Sequence, residues 1–460
     1  MTPGARVQAA IEILDAIAAG GVGRGRSPAD AVVNGYVRSR RYIGSKDRAA
    51  LLSLVYAVLR HRAQLDWWLA FAREGAARAR FSLDSRRRVI AALAILEGWP
   101  VEEFEVSFDG SKFRPVQLEP GERHLAAALS GRSIEHPEQP EGVRVNTPEW
   151  LLPSLKQRFG SDFLREMAAL GEAAPVDLRV NTLKTDRDAA RKTLAASGVT
   201  TTPGSLSPWA LRVDGRPNLP ALAAFKDGLV EIQDEGSQLA ARLVGAKPGM
   251  RVCDFCAGAG GKSLAIAAGM ENKGHIVACD VSGPRLESAT KRLRRAGVHN
   301  VERRHLESER DPWIKRQLGA FDRVLIDAPC SGTGTWRRNP DARWTLTPQD
   351  ILELRALQAR ILGSAARLVK PGGRLVYVTC SLLPEENESQ VEAFAAAAPE
   401  FTPLPMPRVW KEALGTTPPT SDAWLRLSPA RHGTDGFFVA VFERQPATVE
   451  ARNDKPGEGD

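Results

Sequence analysis

The spacing of apolar positions divides the chain into distinct regimes. Between residues 4 and 100, Val7, Ile11, Leu14 and Ile17 recur at helical intervals. So do Leu51, Leu52, Leu54, Val55, Val58 and Leu59, continuing to Leu65 and Trp68. This pattern predicts a small all-α domain over 1–100, with Ser45-Lys-Asp opening one of its helices. Residues 101–145 lose that regularity. They hold nine acidic and five basic side chains with Pro115, Pro120, Pro137 and Pro140, and are expected to form a linker with weak local structure. Residues 146–245 mix the two periods and read as a small α+β module. Helices are expected at 150–159, 163–171 and 187–197, strands at 177–181 and 229–232, and a helix at Gln238–Val244 capped by Gln233–Ser237. From 246 to 443 strand and helix alternate. Strands are expected at 250–254, 275–280, 301–305, 321–327 and 373–379, with a last one at 436–443. Helices are expected at 262–270, 284–296, 348–368 and 387–397. That alternation predicts an α/β domain, a doubly wound sheet covered on both faces. Residues 444–460 are polar without period and read as a disordered tail.

Charge changes the picture at one end only. Residues 1–100 hold 16 Lys and Arg against 8 Asp and Glu, a surplus of 8 that equals the net charge of the whole chain, +8. Arginine forks suit phosphate oxygens, so a polyanionic partner such as RNA is expected there. Trp67 and Trp68 could stack on bases, although tryptophan at helical spacing is more often core. No apolar signal core opens the chain and no run of about 18 apolar residues occurs, so a cytoplasmic protein without a membrane span is expected. The five cysteines do not form a disulfide framework. Cys253 and Cys256 make a lone Cys-x-x-Cys. A structural zinc site wants four ligands, and no second pair exists, so no metal is expected.

In an open parallel sheet, ligands sit beyond the carboxyl ends of the strands. The first strand of the α/β domain ends at Asp254, followed by the turn Cys256, Ala257, Gly258, Ala259, Gly260, Gly261 and Lys262. Glycines there let the backbone approach a ligand, and the following helix start offers free N–H groups. The second strand ends at Asp280, where a ribose diol would bind, with Arg285 five residues on. Arg285 either reaches across the pocket or lies on a solvated helix face. The third ends near Glu307, the fourth at Asp327 before Cys330, the fifth at Thr379 before Cys380. Free cysteines are commonly small buried hydrophobes. These two instead follow strand ends, beside serine and Gly or Pro, and would share one cleft if their strands are neighbours. A thiolate added to carbon 6 of a pyrimidine makes carbon 5 nucleophilic enough to accept an electrophilic methyl group. Asp327 is positioned to stabilise the adduct near ring nitrogen 3. His432, near a Gly-rich turn, is not read as catalytic.

The signatures Asp254-Phe-Cys-Ala-Gly-Ala-Gly-Gly-Lys262, Asp327-Ala-Pro-Cys-Ser-Gly332 and Thr379-Cys-Ser381 resemble the Sun/RsmB family of S-adenosylmethionine-dependent RNA cytosine-5 methyltransferases. So do Gln233-Asp-Glu-Gly-Ser, Arg337-Arg-Asn-Pro-Asp341 with Trp344, and Arg431-His-Gly-Thr-Asp-Gly-Phe-Phe438. The similarity covers roughly 144–443, and the N-terminal helices resemble a NusB-like RNA-binding domain. The resemblance implies a Rossmann-like class I methyltransferase domain with an antiparallel last strand, and S-adenosylmethionine as cofactor. It implies RNA as partner, ribosomal RNA ahead of transfer RNA, and a monomer is the default state. It assigns Cys380 as nucleophile, Cys330 to product release, and Cys256–Lys262 to the methionine part of the cofactor. Asp280 falls to the ribose, Glu307 to the adenine where the family has Asp, and Asp327 to cofactor and base, with Lys262 also at the base. Where the family turn reads Ala-Pro, this chain has Gly258-Ala259, and a more flexible loop is expected. Two other classes fit less well. A nicotinamide oxidoreductase wants Gly-x-Gly-x-x-Gly, which is absent, and a non-catalytic assembly factor would not need Cys380 and Asp327.

Overall fold

The computed structural model describes residues 1–21, 27–74 and 83–446. Helices Pro3–Ala19, Ala29–Ser39, Ser45–Arg60, Arg62–Glu74 and Ser85–Ile95 build the N-terminal domain. Thr2 caps the first by accepting from the N–H of Ala5, with Pro3 in the first turn, where a missing N–H costs nothing. Val7, Ile13, Leu51, Val55, Leu65, Val89 and Ile90 form the core. Trp68 is buried in it and donates to the carbonyl of Ile134 at 3.0 Å. Trp67 stacks on Phe71, so both tryptophans are packing groups.

The segment 101–145 is not a linker. Its helices Val101–Ser107 and Pro120–Leu129 bury Phe104, Phe108, Leu125, Ala126 and Leu129 in the same N-terminal core. Each apolar set repeats at i, i+4, but in helices of two or three turns between prolines, too short for the period to stand out. Pro120 starts a helix rather than breaking one. Glu122, buried, pairs with Arg86 at 2.9 Å and accepts from the N–H of Glu119 at 3.1 Å, so an apparently solvated acid ties this segment down.

In the α+β module, β1 (Val176–Val180), β2 (Thr201–Pro203), β3 (Ala210–Val213) and β4 (Val230–Ile232) form an antiparallel sheet in the order β2-β3-β1-β4. β2 and β3 are three and four residues long, and were not legible as strands. Asp234 caps the next helix by accepting from Gly236, so that helix, Glu235–Arg242, begins three residues earlier than its apolar period indicates.

The larger sheet contains β5 (Arg251–Asp254), β6 (His275–Asp280), β7 (Val301–His305), β8 (Phe321–Asp327), β9 (Val369–Thr379), β10 (Phe401–Pro403), β11 (Leu425–Leu427) and β12 (Phe437–Arg444). The order is β10-β12-β9-β8-β5-β6-β7, with β11 also on β12. The pairs from β9 to β7 are parallel. β12 runs antiparallel to β9, with Val439 opposite Val378. The continuous apolar runs Val324–Ile326 and Leu375–Val378 are buried on both faces, as a covered parallel sheet requires. The chain winds outward from β5 to β7 and returns to β8 on the other side of β5, so the topological switch point falls between β5 and β8. The tail expected at 444–460 begins with the end of β12 at Arg444, and its residues 447–460 lie outside the described residues.

Candidate active site

The glycine turn is pinned between both neighbours of β5. Phe255 donates to Leu325 and Ala257 to Cys279, each at 2.8 Å. Gly258 (φ 54°) and Gly260 (φ 76°) take the left-handed conformation that side chains disfavour. The N–H of Gly258 donates to Asp280 Oδ2 at 2.8 Å, and Asp280 Oδ1 accepts from Ser282 at 2.8 Å. Asp280 therefore shapes the turn from the end of β6. Behind the turn, Arg292 donates to the carbonyl of Ala259 at 2.8 Å and Arg179 to that of Gly261 at 2.9 Å. Burial pulls the Arg179 guanidinium down to about 10, with Glu231 opposing and Arg292 adding to the effect. These arginines fasten the turn's backbone at Ala259 and Gly261. Arg285 is exposed and lies over Gly258, so that a Cβ there would stand 2.6 Å from its guanidinium. Glu307, also exposed, follows β7, next to Leu306, whose N–H pairs with the carbonyl of Asp280 at 3.0 Å.

The floor of the switch point is acidic and buried. Asp254 is wholly inaccessible. Its Oδ2 accepts from Ser263 Oγ at 2.6 Å, and its Oδ1 has no partner among the described residues. Burial raises its pKa to about 7. The Ser263 bond and Lys262 oppose that shift, while Asp327 and Asp280 reinforce it. Lys262 Nζ contacts Asp327 Oδ2 at 2.6 Å and lies over the ring of Phe437. Burial works against its ammonium, but Asp327, Cys380 and Asp254 outweigh this and leave the pKa above the usual lysine value. Cys256 lines the turn half-buried. Burial, then Asp327, Asp254 and Asp280, push its thiol well above the ordinary value, so it stays neutral. Cys253 is core.

β8 and β9 are neighbours, and the two cysteines beyond them meet: Cys330 Sγ and Cys380 Sγ are 3.5 Å apart. Both are partly accessible. The hydrogen bond with Cys380, then burial and the charges of Cys380 and Glu386, raise the Cys330 thiol well above its usual value, against a lowering N–H from Gly332. In the contact between the two sulfurs either thiol can be the donor. Four contributors escaped sequence reasoning. Asp254 looked like an ordinary strand end, and Arg179 and Arg292 act from outside the pocket. Glu386, in Leu383-Pro-Glu-Glu386, stands just before the helix expected at 387–397. It joins the serines that follow the two cysteines. His432 Nδ1 accepts from the N–H of Ser428 at 3.1 Å, which holds a turn. Among the described residues, no group of three or more His, Cys, Asp or Glu could hold a metal ion, and no helix is long and apolar enough to cross a membrane.

The N-terminal domain grips the segment that follows the Cys330 loop. Trp344 Nε1 donates to the carbonyl of Leu59 at 3.0 Å, and the N–H of Ala29 donates to Asp341 at 3.1 Å. Arg343, buried with no carboxylate partner among the described residues, donates to the carbonyls of Asn146 and Leu170 at 2.9 and 3.2 Å. Burial pulls its pKa down to about 9.

A glycine turn with positive φ, an acid at the end of the next strand and a buried, unpartnered carboxylate oxygen fit a ligand carrying a ribose and an ammonium group. The fold and this pocket define a Rossmann-like, S-adenosylmethionine-dependent methyltransferase. Residues 241–443 match the 16S rRNA methyltransferase RsmB/F family, and residues 147–219 match the ferredoxin-like domain of RsmF/B-like methyltransferases. A probable ribosomal RNA small subunit methyltransferase B of Synechocystis is 35% identical over 70% of this chain and 72% of its own length. Its Bacillus subtilis counterpart is 30% identical over 88% and 92%. The solved structure of a methyltransferase homolog protein from Pyrococcus horikoshii is 30% identical, with a TM-score of 0.57 over 66% of this chain and 97% of that one. The chain belongs to the RsmB family of ribosomal RNA small-subunit methyltransferases.

Proposed function

We propose that this protein methylates carbon 5 of a cytosine in small-subunit ribosomal RNA through a covalent bond between Cys380 and carbon 6 of the base. The observation that carries the reading is the pair of thiols 3.5 Å apart beyond β8 and β9, beside the Lys262–Asp327 ion pair. The cofactor would lie along Cys256–Lys262 and Asp254, with Asp280 at the ribose, Glu307 beside the adenine and Arg285 at the mouth. When bound, it supplies an electrophilic methyl group.

The residues then divide the work. Lys262 places positive charge near Cys380. Cys380 attacks carbon 6, and Asp327, half-open beside Lys262, takes the ring nitrogen side and steadies charge in the adduct. Carbon 5 becomes enamine-like and takes the methyl group. The carbon 5 proton passes to solvent water, the double bond between carbons 5 and 6 re-forms as the carbon 6–sulfur bond breaks, and the departing Cys380 thiolate accepts a hydrogen bond from the Cys330 thiol. A cytosine stacked in a helix does not offer carbon 6, so the target is single-stranded or flipped out. The test is nucleoside mass spectrometry of small-subunit rRNA incubated with the protein and S-adenosylmethionine. 5-Methylcytidine is the expected product; a different methylated nucleoside overturns the reading.

A further inference from the structure

We propose that Glu386 decides which of the two thiols attacks: its buried carboxylate locks the two cysteine loops together and keeps the pair's proton on Cys330, leaving Cys380 as the anion. The proposal rests on the two-cysteine reading above and names the group that makes the cysteines unequal.

Glu386 is wholly buried at the end of the turn Pro384–Glu386. Its Oε1 accepts from the backbone N–H of Ser331 and from Gln358 Nε2, each at 2.9 Å. Its Oε2 accepts from the hydroxyls of Ser331 and of Ser381, the latter at 2.5 Å. Its own carbonyl accepts from Tyr377 at 2.8 Å. Ser331 follows Cys330 and Ser381 follows Cys380, so a single carboxylate spans both loops. A second tie lies beside it: the N–H of Gly334 donates to the carbonyl of Cys380 at 2.9 Å. The 3.5 Å sulfur separation is the consequence of this frame.

The frame is also electrically lopsided. Among the described residues, no Lys, Arg or His forms an ion pair with Glu386, so its charge is offset only by hydrogen-bond dipoles. Its carboxylate reaches the Cys330 loop through both the backbone N–H and the hydroxyl of Ser331, and the Cys380 loop through the hydroxyl of Ser381. The Lys262 ammonium interacts electrostatically with Cys380, as it does with Asp327 and Asp254. The other groups facing Cys330 are the Tyr377 hydroxyl and the N–H of Gly332. The proton of a thiol–thiolate pair settles on the sulfur that feels the anion more and the cation less. Glu386 contributes in that sense to the raised Cys330 thiol.

Glu386→Gln separates the two roles. The amide oxygen keeps Ser331 and Gln358, and the amide nitrogen donates to the two serine hydroxyls, which rotate to accept. The frame stays and the charge goes. The experiment follows iodoacetamide alkylation of Cys330 and Cys380 separately, by peptide mass spectrometry, between pH 6 and pH 10 in the full chain. In the unaltered protein, Cys380 should react first and Cys330 only as the pH is raised; early reaction at Cys330 overturns the proposal without any variant. In Glu386→Gln, the preference for Cys380 should fall about tenfold or more, one pH unit of differential protonation. An unchanged preference in a variant with unchanged thermal unfolding also overturns it. Parallel nucleoside analysis of the unaltered enzyme keeps the outcomes apart. Absence of 5-methylcytidine condemns the proposed function, whereas its presence with unaltered thiol selectivity condemns the role of Glu386 alone.

Discussion

Asp254→Asn should reverse a pH-dependent cost built into the β5 terminus. The carboxyl group is wholly buried, and its pKa rises from 3.8 to about 7. Between those values the folded protein holds a proton that the unfolded chain has released. Stability from this group is therefore fully present below pH 3.8 and is lost as pH rises to about 7, at about 1.4 kcal/mol per pH unit. The full span amounts to about 4 kcal/mol, of which about 3 falls between pH 5 and pH 7. Asparagine cannot ionise and keeps the bond from Ser263. Any constant cost of the amide cancels when the difference between the two proteins is compared across pH. Urea unfolding of both at pH 5 and pH 8 should show the variant gaining about 3 kcal/mol relative to the parent. A difference flat in pH to within about 0.5 kcal/mol would refute the reasoning, because Asp254 would then be ionised at both pH values.

Two further substitutions probe how the site is held. Trp344→Ala removes a hydrogen bond to Leu59 and a guanidinium contact with Arg62, about 1–2 kcal/mol together. It should split thermal unfolding into two transitions by calorimetry and slow methyl transfer while leaving cofactor affinity intact; a single transition at unchanged activity would show that the docked segment does not support the Cys330 loop. Gly258→Ala places a side chain at φ 54° against Arg285, a strain of about 1–2 kcal/mol. Titration calorimetry should show S-adenosylmethionine binding weakened about tenfold with RNA affinity retained, and equal binding would contradict the pre-shaped turn.

The parallel sheet was legible because its strands are unbroken apolar runs that stop at polar residues. Asp254, Asp280, Asp327 and Thr379 each close a strand where the chemistry begins, so the strand ends also located the two cysteines. Local pattern said nothing about partners far apart in sequence. The gripping of Asp341, Arg343 and Trp344 by residues 29–170 is invisible to any window. So is the convergence of Ser331, Gln358 and Ser381 on Glu386, which as sequence is an acid after a proline. The segment 101–145 misled for a related reason. Its charges and prolines describe a solvated surface, while Phe104, Phe108, Leu125 and Leu129 sit on the one buried side of helices too short to display a period. The docking of Trp344 also changes what the N-terminal domain does. An arginine-rich handle alone would affect RNA affinity, but this domain holds the segment beyond Cys330 as well.

The covalent role of Cys380 is tested most directly by trapping it. Cys330→Ala should be incubated with S-adenosylmethionine and small-subunit rRNA, denatured, digested, and its peptides sequenced by mass spectrometry. The expected result is a denaturant-resistant protein–RNA species with a methylated cytosine bound to Cys380, absent when Cys380 is also replaced by Ala. No covalent species from an enzyme that still produces 5-methylcytidine, or attachment at any residue other than Cys380, would contradict the mechanism.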